Sequence, residues 1–276
     1  MTIVSFPLYT LVFLCLLRLR CLSKTFNSTF YSILLQHCIA DLLSMLTFLV
    51  FYCSIEIGWF RELLFAYQSY YVTAAAYNSI YYSLYIRCTG ITLLSLQRYL
   101  VITSPIGSLL ESTDRLARNL TVIGVYWSVP TVLSIVVLKD TNFSFASLET
   151  MAIVAEQPVI QRNTLMALCV VGATCIVCSA LYAALFVFLR KHASGLSKSL
   201  RRETHLAAQV FALLLAFFVI LAYYGVQNYF SQTHTTGPIY YMRALYPIAN
   251  GLLSYINPFC ILLLNKDLAN QIGKFL

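Results

Sequence analysis

The sequence predicts an all-α membrane protein, one domain over residues 1–276 in which seven transmembrane helices form a single bundle. Three observations predict it. Seven long apolar stretches divide the chain. Composition is 60% hydrophobic and only 10% charged, with a mean hydropathy of +0.77, far from soluble averages. The basic residues, finally, fall almost entirely in alternate gaps between the stretches.

The first stretch, Thr2–Leu17, is marginal in length, because about 20 residues at 1.5 Å rise are needed to cross the ~30 Å hydrocarbon core. Its shortness raises the expectation of a truncated start. No basic residue precedes it and Arg18 and Arg20 follow it, so it reads as a reverse anchor rather than a cleaved signal. Phe30–Ile55 and Tyr71–Val101 are long enough to span, although each carries a charge, Asp41 and Arg87. Leu120–Leu138, Leu165–Leu189, Leu206–Phe230 and Ile239–Leu264 complete the seven. Beyond them, Leu268, Ile272 and Phe275 recur at amphipathic spacing within Asn265–Leu276, which predicts a short interfacial helix.

Charge fixes the orientation. Thirteen basic residues, among them Arg18, Arg20, Lys24, Arg98, Arg118 and Arg190, lie in the odd gaps and the tail, against Arg61, Lys139 and Arg162 on the other side. The basic side is cytoplasmic and the N-terminus is outside. The net charge of +8 is therefore a topology signal, and nucleic-acid binding is excluded. Six of the nine cysteines lie inside apolar stretches and no outer loop offers a pair, so no disulfide and no metal site is expected; Cys175-x-x-Cys178 sits mid-helix without histidines. Asn142-Phe-Ser144, in an outer gap, is the expected glycosylation site; Asn27-Ser-Thr29 and Asn119-Leu-Thr121 fall inside and should stay bare.

A charge at mid-bilayer costs at least ~2.5–3.5 kcal/mol on insertion scales. Asp41 is 11 residues above Phe30 on an ascending helix, and Arg87 is 11 above Arg98 on the descending one. Both lie ~16 Å from the cytoplasmic boundary at 1.5 Å per residue. Same depth, consecutive helices and opposite signs predict a buried Asp41–Arg87 pair, and reversing it should restore surface expression lost in either single variant.

Arg98 closes the third stretch in Leu94-Ser-Leu-Gln97-Arg98-Tyr99-Leu-Val-Ile-Thr-Ser-Pro105. That run resembles the end of helix three in rhodopsin-like G-protein-coupled receptors, with Gln97 where an acidic residue often stands. Asp41 in Ile-Ala-Asp-Leu-Leu, Trp127, and Asn257-Pro258-Phe259 match that family's helix-two aspartate, helix-four tryptophan and helix-seven Asn-Pro motif. The segment Thr25-Phe-Asn-Ser-Thr-Phe-Tyr31, together with Ile39-Ala-Asp41 and the Arg-Tyr run, resembles more closely the nematode serpentine chemoreceptors, class V or gamma of the Srg superfamily. The resemblance implies coupling to a heterotrimeric G protein through Arg98, Tyr99, Asn257 and Pro258. It also implies that the Arg87 guanidinium stands where a sodium ion sits beside the helix-two aspartate of rhodopsin-like receptors, with Ser254 and Asn257 as neighbours. The family's usual outer disulfide, the Trp-x-Pro bend of helix six and a helix-five proline are absent, so those switches do not carry over. Glu203 is a further candidate partner for Arg98.

The outer halves of the third, sixth and seventh stretches are crowded with amphipathic groups. Tyr77, Tyr81 and Tyr85 share one helix face, and Tyr224, Gln227, Arg243 and Tyr246 are the other ligand-binding candidates. An aromatic cavity with few polar groups suits a small, mostly apolar molecule, odorant or pheromone-like, and needs no cofactor. The expected function is that of a chemosensory receptor in the plasma membrane of sensory neurons, not an enzyme. The alternative is a seven-helix ligand-gated cation channel of inverted topology.

Overall fold

A computed structural model describes residues 2–22, 26–103, 115–191 and 198–233, and near the C-terminus residues 242, 245, 249, 251, 254, 256–263, 268 and 269. Helix α1 spans Thr2–Leu22. Helix α2, Thr29–Phe48, continues through a wide π turn at Leu49–Cys53 into α3, Ser54–Ile57. Gly58, at φ 89°, then turns the chain in the left-handed conformation that a glycine adopts without Cβ cost. After the short α4, Arg61–Ala66, come α5, Thr73–Thr103, and α6, Arg115–Leu138. Helices α7, Gln157–Lys191, and α8, Lys198–Gln232, follow, and residues 256–263 form the described run of α9.

The first helix corrects the expectation of a marginal span. It runs on through Arg18 and Arg20 to 21 residues, about 31 Å at 1.5 Å per residue. Helices outlast their apolar stretches because the i→i−4 hydrogen-bond ladder continues into polar sequence; α7 begins eight residues before Leu165. Among the described residues, Ser5–Leu22, Thr29–Cys53, Leu116–Leu138, Gln157–Lys191 and Ala207–Gln232 are long and apolar enough on their own to cross a membrane. Helix α5 is the instructive exception. It packs against α2, α6, α7 and α8, so its polar residues Asn78, Arg87, Gln97 and Arg98 are buried by protein rather than set in lipid. A central helix can be the least apolar one.

Between α6 and α7 the chain forms a small antiparallel hairpin, with Ser144 opposite Val154 and Phe145 opposite Ile153. Nothing in the residue pattern announces it. Phe143 and Phe145 turn inward and are buried, and the Phe145 amide donates to Gln68 Oε1 at 3.0 Å, which clips the hairpin to the segment entering α5. Of the expected interfacial helix, Leu268 and Ala269 are helical and Leu268 is buried; Ile272 and Phe275 lie outside the described residues.

Candidate functional site

Asp41 is the point on which the bundle converges. Its Oδ1 accepts from Arg87 Nε at 2.9 Å, and both side chains are 1% exposed. Its Oδ2 accepts from Tyr9 Oη at 2.7 Å and from Asn257 Nδ2 at 2.9 Å. Arg87 Nη2 donates to Ser254 Oγ as well. Pro258 is part of the reason Ser254 and Asn257 serve here. Lacking an N–H, it cannot bond the carbonyl of Ser254 four residues earlier, which loosens α9 beside the network. His37, four residues before Asp41 and therefore on the same helix face, places Nε2 3.8 Å from Oδ2 and hydrogen-bonds Tyr126 Oη at 3.0 Å through Nδ1. One carboxylate thus ties α1, α2, α5 and α9 directly, and α6 through a histidine. The desolvation cost of two buried charges is large, and it is offset here because both carboxylate oxygens accept hydrogen bonds, Oδ1 from Arg87 and Oδ2 from Tyr9 and Asn257.

The sequence pointed to Asp41, Arg87, Ser254 and Asn257 and missed Tyr9, His37 and Tyr126. His37 had a legible signal, its i, i+4 spacing to the aspartate. Tyr9, one of four hydroxyl side chains in an apolar helix, had none.

At the basic end Arg98 does not reach outward. It is 2% exposed, and its guanidinium carbon lies 3.6 Å from the centroid of the Phe30 ring on α2. Gln97 beside it is buried, and Tyr99 is partly buried. The Glu203 side chain lies outside the described residues. Arg20 Nη2 donates to Ser32 Oγ at 2.7 Å and to Asn119 Oδ1 at 3.0 Å, and Arg118 Nη2 to the Asn27 carbonyl at 2.7 Å. Trp127 Nε1 donates to Gln36 Oε1 at 2.9 Å, locking α6 to α2.

At the opposite end Tyr77 stacks on Phe143 of the hairpin, ring centroids 4.5 Å apart, and its hydroxyl lies 3.3 Å from that of Tyr81. Tyr77, Tyr81, Tyr85, Tyr224 and Gln227 are all buried. Tyr85 Oη and Gln227 Oε1 have no hydrogen-bond partner among the described residues. Arg243 and Tyr246 lie outside them. Asn78 holds the loop that follows α6: its Nδ2 donates to the Asp140 carbonyl at 3.1 Å. Asp140 also pairs with Arg162, a link between the end of α6 and α7 that the sequence did not reveal. No group of three histidine, cysteine or acidic side chains is placed to hold a metal among the described residues.

The sequons separate cleanly. Asn142 is exposed beyond the end of α6. Asn119 is held by Arg20 and Ser32 near that helix's start, and Asn27 lies beside Arg118 at the same end. About 29 Å of helix separates Asn119 from Leu138. A glycosidase mobility shift is therefore expected to disappear in Asn142→Gln and to persist in Asn27→Gln and Asn119→Gln. Sugar on either of the latter would invert the bundle.

A family model described as serpentine type 7TM GPCR chemoreceptor Srv matches residues 1–276, the whole chain. The description is of Srv; the Srg grouping expected from the motifs is not part of it. No curated protein matches the chain.

Proposed function

We propose, because the chain belongs to the serpentine seven-transmembrane G-protein-coupled chemoreceptor family Srv, that it transduces the binding of an external small molecule to an intracellular heterotrimeric G protein. Membership makes it a multi-pass membrane protein of chemoreceptor type, and not of an enzyme family. The plasma membrane of sensory neurons is the site of action we assign to it.

The observation that carries the coupling step is the burial of Arg98 over Phe30. A guanidinium on an aromatic face gains ~0.5–2 kcal/mol, and that contact holds in the bundle the arginine a G protein would meet. Here Phe30 does the holding that an acidic neighbour does elsewhere, since Gln97 carries no charge. Ligand binding among Tyr77, Tyr81, Tyr85, Tyr224 and Gln227 at the far end, with Arg243 and Tyr246 as further candidates, would shift the bundle toward the state in which Arg98 is released. The unmet Tyr85 hydroxyl and Gln227 carbonyl favour a small apolar ligand bearing one or two polar groups.

In membranes containing the full chain and purified heterotrimeric G protein, Phe30→Leu should raise basal nucleotide exchange about two- to thirtyfold, the loss of one cation–π contact. Phe30→Tyr keeps the ring face and should stay near wild type. Equal exchange in wild type, Phe30→Leu and Arg98→Ala would sink the coupling proposal.

A further inference from the structure

A patch of large apolar side chains lies exposed at the end of the bundle opposite Arg98, on the segment that joins α3 to α5. Ile57, Trp59, Phe60, Leu63, Tyr67 and Tyr70 are each more than half exposed there. Surfaces that meet only water seldom gather so many, and such a patch marks a contact with something apolar. The segment is two-sided: Leu63, Tyr67 and Tyr70 face out, whereas Leu64, Phe65 and Gln68 are half-buried. It is also firmly built. Arg61 Nε donates to the Ile55 carbonyl at 2.6 Å, which ties α4 to α3, and Tyr71 Oη donates to the Leu138 carbonyl at 3.1 Å.

Helical rise places this patch at the membrane surface. Ile57 lies 27 residues beyond Phe30, and Thr73 lies 25 residues from Arg98, about 40 and 38 Å at 1.5 Å per residue. Phe30 and Arg98 mark the opposite boundary of the hydrocarbon core. A tilt of ~20° brings both ends of the segment into the far headgroup layer, since core and headgroups together span ~40–45 Å. A second observation agrees. Leu43, Leu46 and Val50, three and four residues apart, form a lipid-facing stripe on α2, and exposed Ile57 follows seven residues on. The patch therefore continues a surface that lipid already covers. Its composition also suits the headgroup layer, because Trp59, Tyr67 and Tyr70 each join an apolar ring to a polar atom.

We propose that residues 57–71 form an interfacial foot whose partner is the phospholipid headgroup layer at the end of the bundle opposite Arg98. The other face of the foot carries Gln68, whose Oε1 accepts the Phe145 amide at 3.0 Å. Phe145 belongs to the hairpin whose Phe143 stacks on Tyr77. The leaflet thus braces the cover over the tyrosine cluster, and lipid packing bears on how firmly that cover is held.

The test is tryptophan emission from the full chain in phosphatidylcholine nanodiscs. The chain has two tryptophans, so wild type minus Trp59→Phe isolates Trp59 and leaves Trp127 undisturbed. Its emission is expected to be quenched by a nitroxide on the lipid headgroup and largely spared by a nitroxide at the acyl-chain end and by acrylamide in water. Full quenching by acrylamide, with none from either nitroxide, would place the patch in water and overturn the proposal. Shelter from all three quenchers would mean that protein, such as a second copy of the chain, covers the patch, and would overturn lipid as the partner. Leu63→Asp with Tyr67→Asp, at two exposed positions, should leave the melting temperature in detergent unchanged. In nanodiscs the same double variant should admit acrylamide to Trp59 and speed amide exchange across residues 143–154. Exchange equal to that of wild type would overturn the brace.

Discussion

Arg87→Met should destabilise the bundle by about 3–5 kcal/mol and remove most of the folded receptor from the cell surface. The arginine is fully enclosed, and without it Asp41 keeps a buried charge with Tyr9 and Asn257 as its hydrogen-bond donors among the described residues. Methionine fills nearly the same volume, so the loss isolates charge from packing. Asp41→Asn strands the opposite charge and should be comparably harmful. The double variant, Asp41→Asn with Arg87→Met, leaves no unpaired charge and should recover a large share of surface expression. Charge reversal is the weaker rescue. Tyr9 Oη and Asn257 Nδ2 both donate to Asp41 Oδ2, and an arginine placed at position 41 would meet donors with donors. The expectation of full recovery on reversal treated the pair as isolated; the network makes the aspartate's side of it specific. Flow cytometry of surface-tagged variants, with melting of the solubilised protein, decides. A single variant as stable as wild type, or a neutral double no better than the singles, would refute the account. Surviving Arg87 variants should also show altered basal nucleotide exchange.

The Asp41–Arg87 contact was legible because two quantities are rigid: helical rise, which converts residue counts into depth, and the cost of an unpaired charge in hydrocarbon. Ser254 and Asn257 were legible only through the Asn-Pro motif. What stayed hidden lacks such a ruler. Phe30 under Arg98 is one aromatic among eighteen phenylalanines, and no spacing marks it as the one a cation will use. Two-residue strands at Ser144–Phe145 and Ile153–Val154 are too short to show alternation. Helix ends were misjudged, at Leu17 above all, because hydropathy reports where lipid ends and not where the backbone ladder ends. The ligand end is the least legible. Tyr77, Tyr81 and Tyr85 share a face by arithmetic, yet nothing in the sequence says that Phe143 covers the first of them.

Gly90→Ala is expected to cost about 1–3 kcal/mol, although alanine is the better helix former by ~1 kcal/mol. The sign turns on space. A Cβ at Gly90 would collide with His37 Nδ1 and lie 2.7 Å from Tyr126 Oη. The ring cannot simply move, for its Nδ1 is bonded to Tyr126 at 3.0 Å and its Nε2 faces Asp41 at 3.8 Å. Accommodating the methyl group means prising α5 from α2 and α6 beside the charge network, so overpacking outweighs propensity. His37→Ala alone should cost roughly one hydrogen bond, about 1 kcal/mol. Together the two changes should cost less than their sum, because the truncated histidine vacates the volume that the new methyl group needs. Melting temperatures of the four proteins of this cycle measure that coupling. Strict additivity would mean that Gly90 is not the spacer for His37, and a stabilised Gly90→Ala would mean that the three helices do not meet so closely.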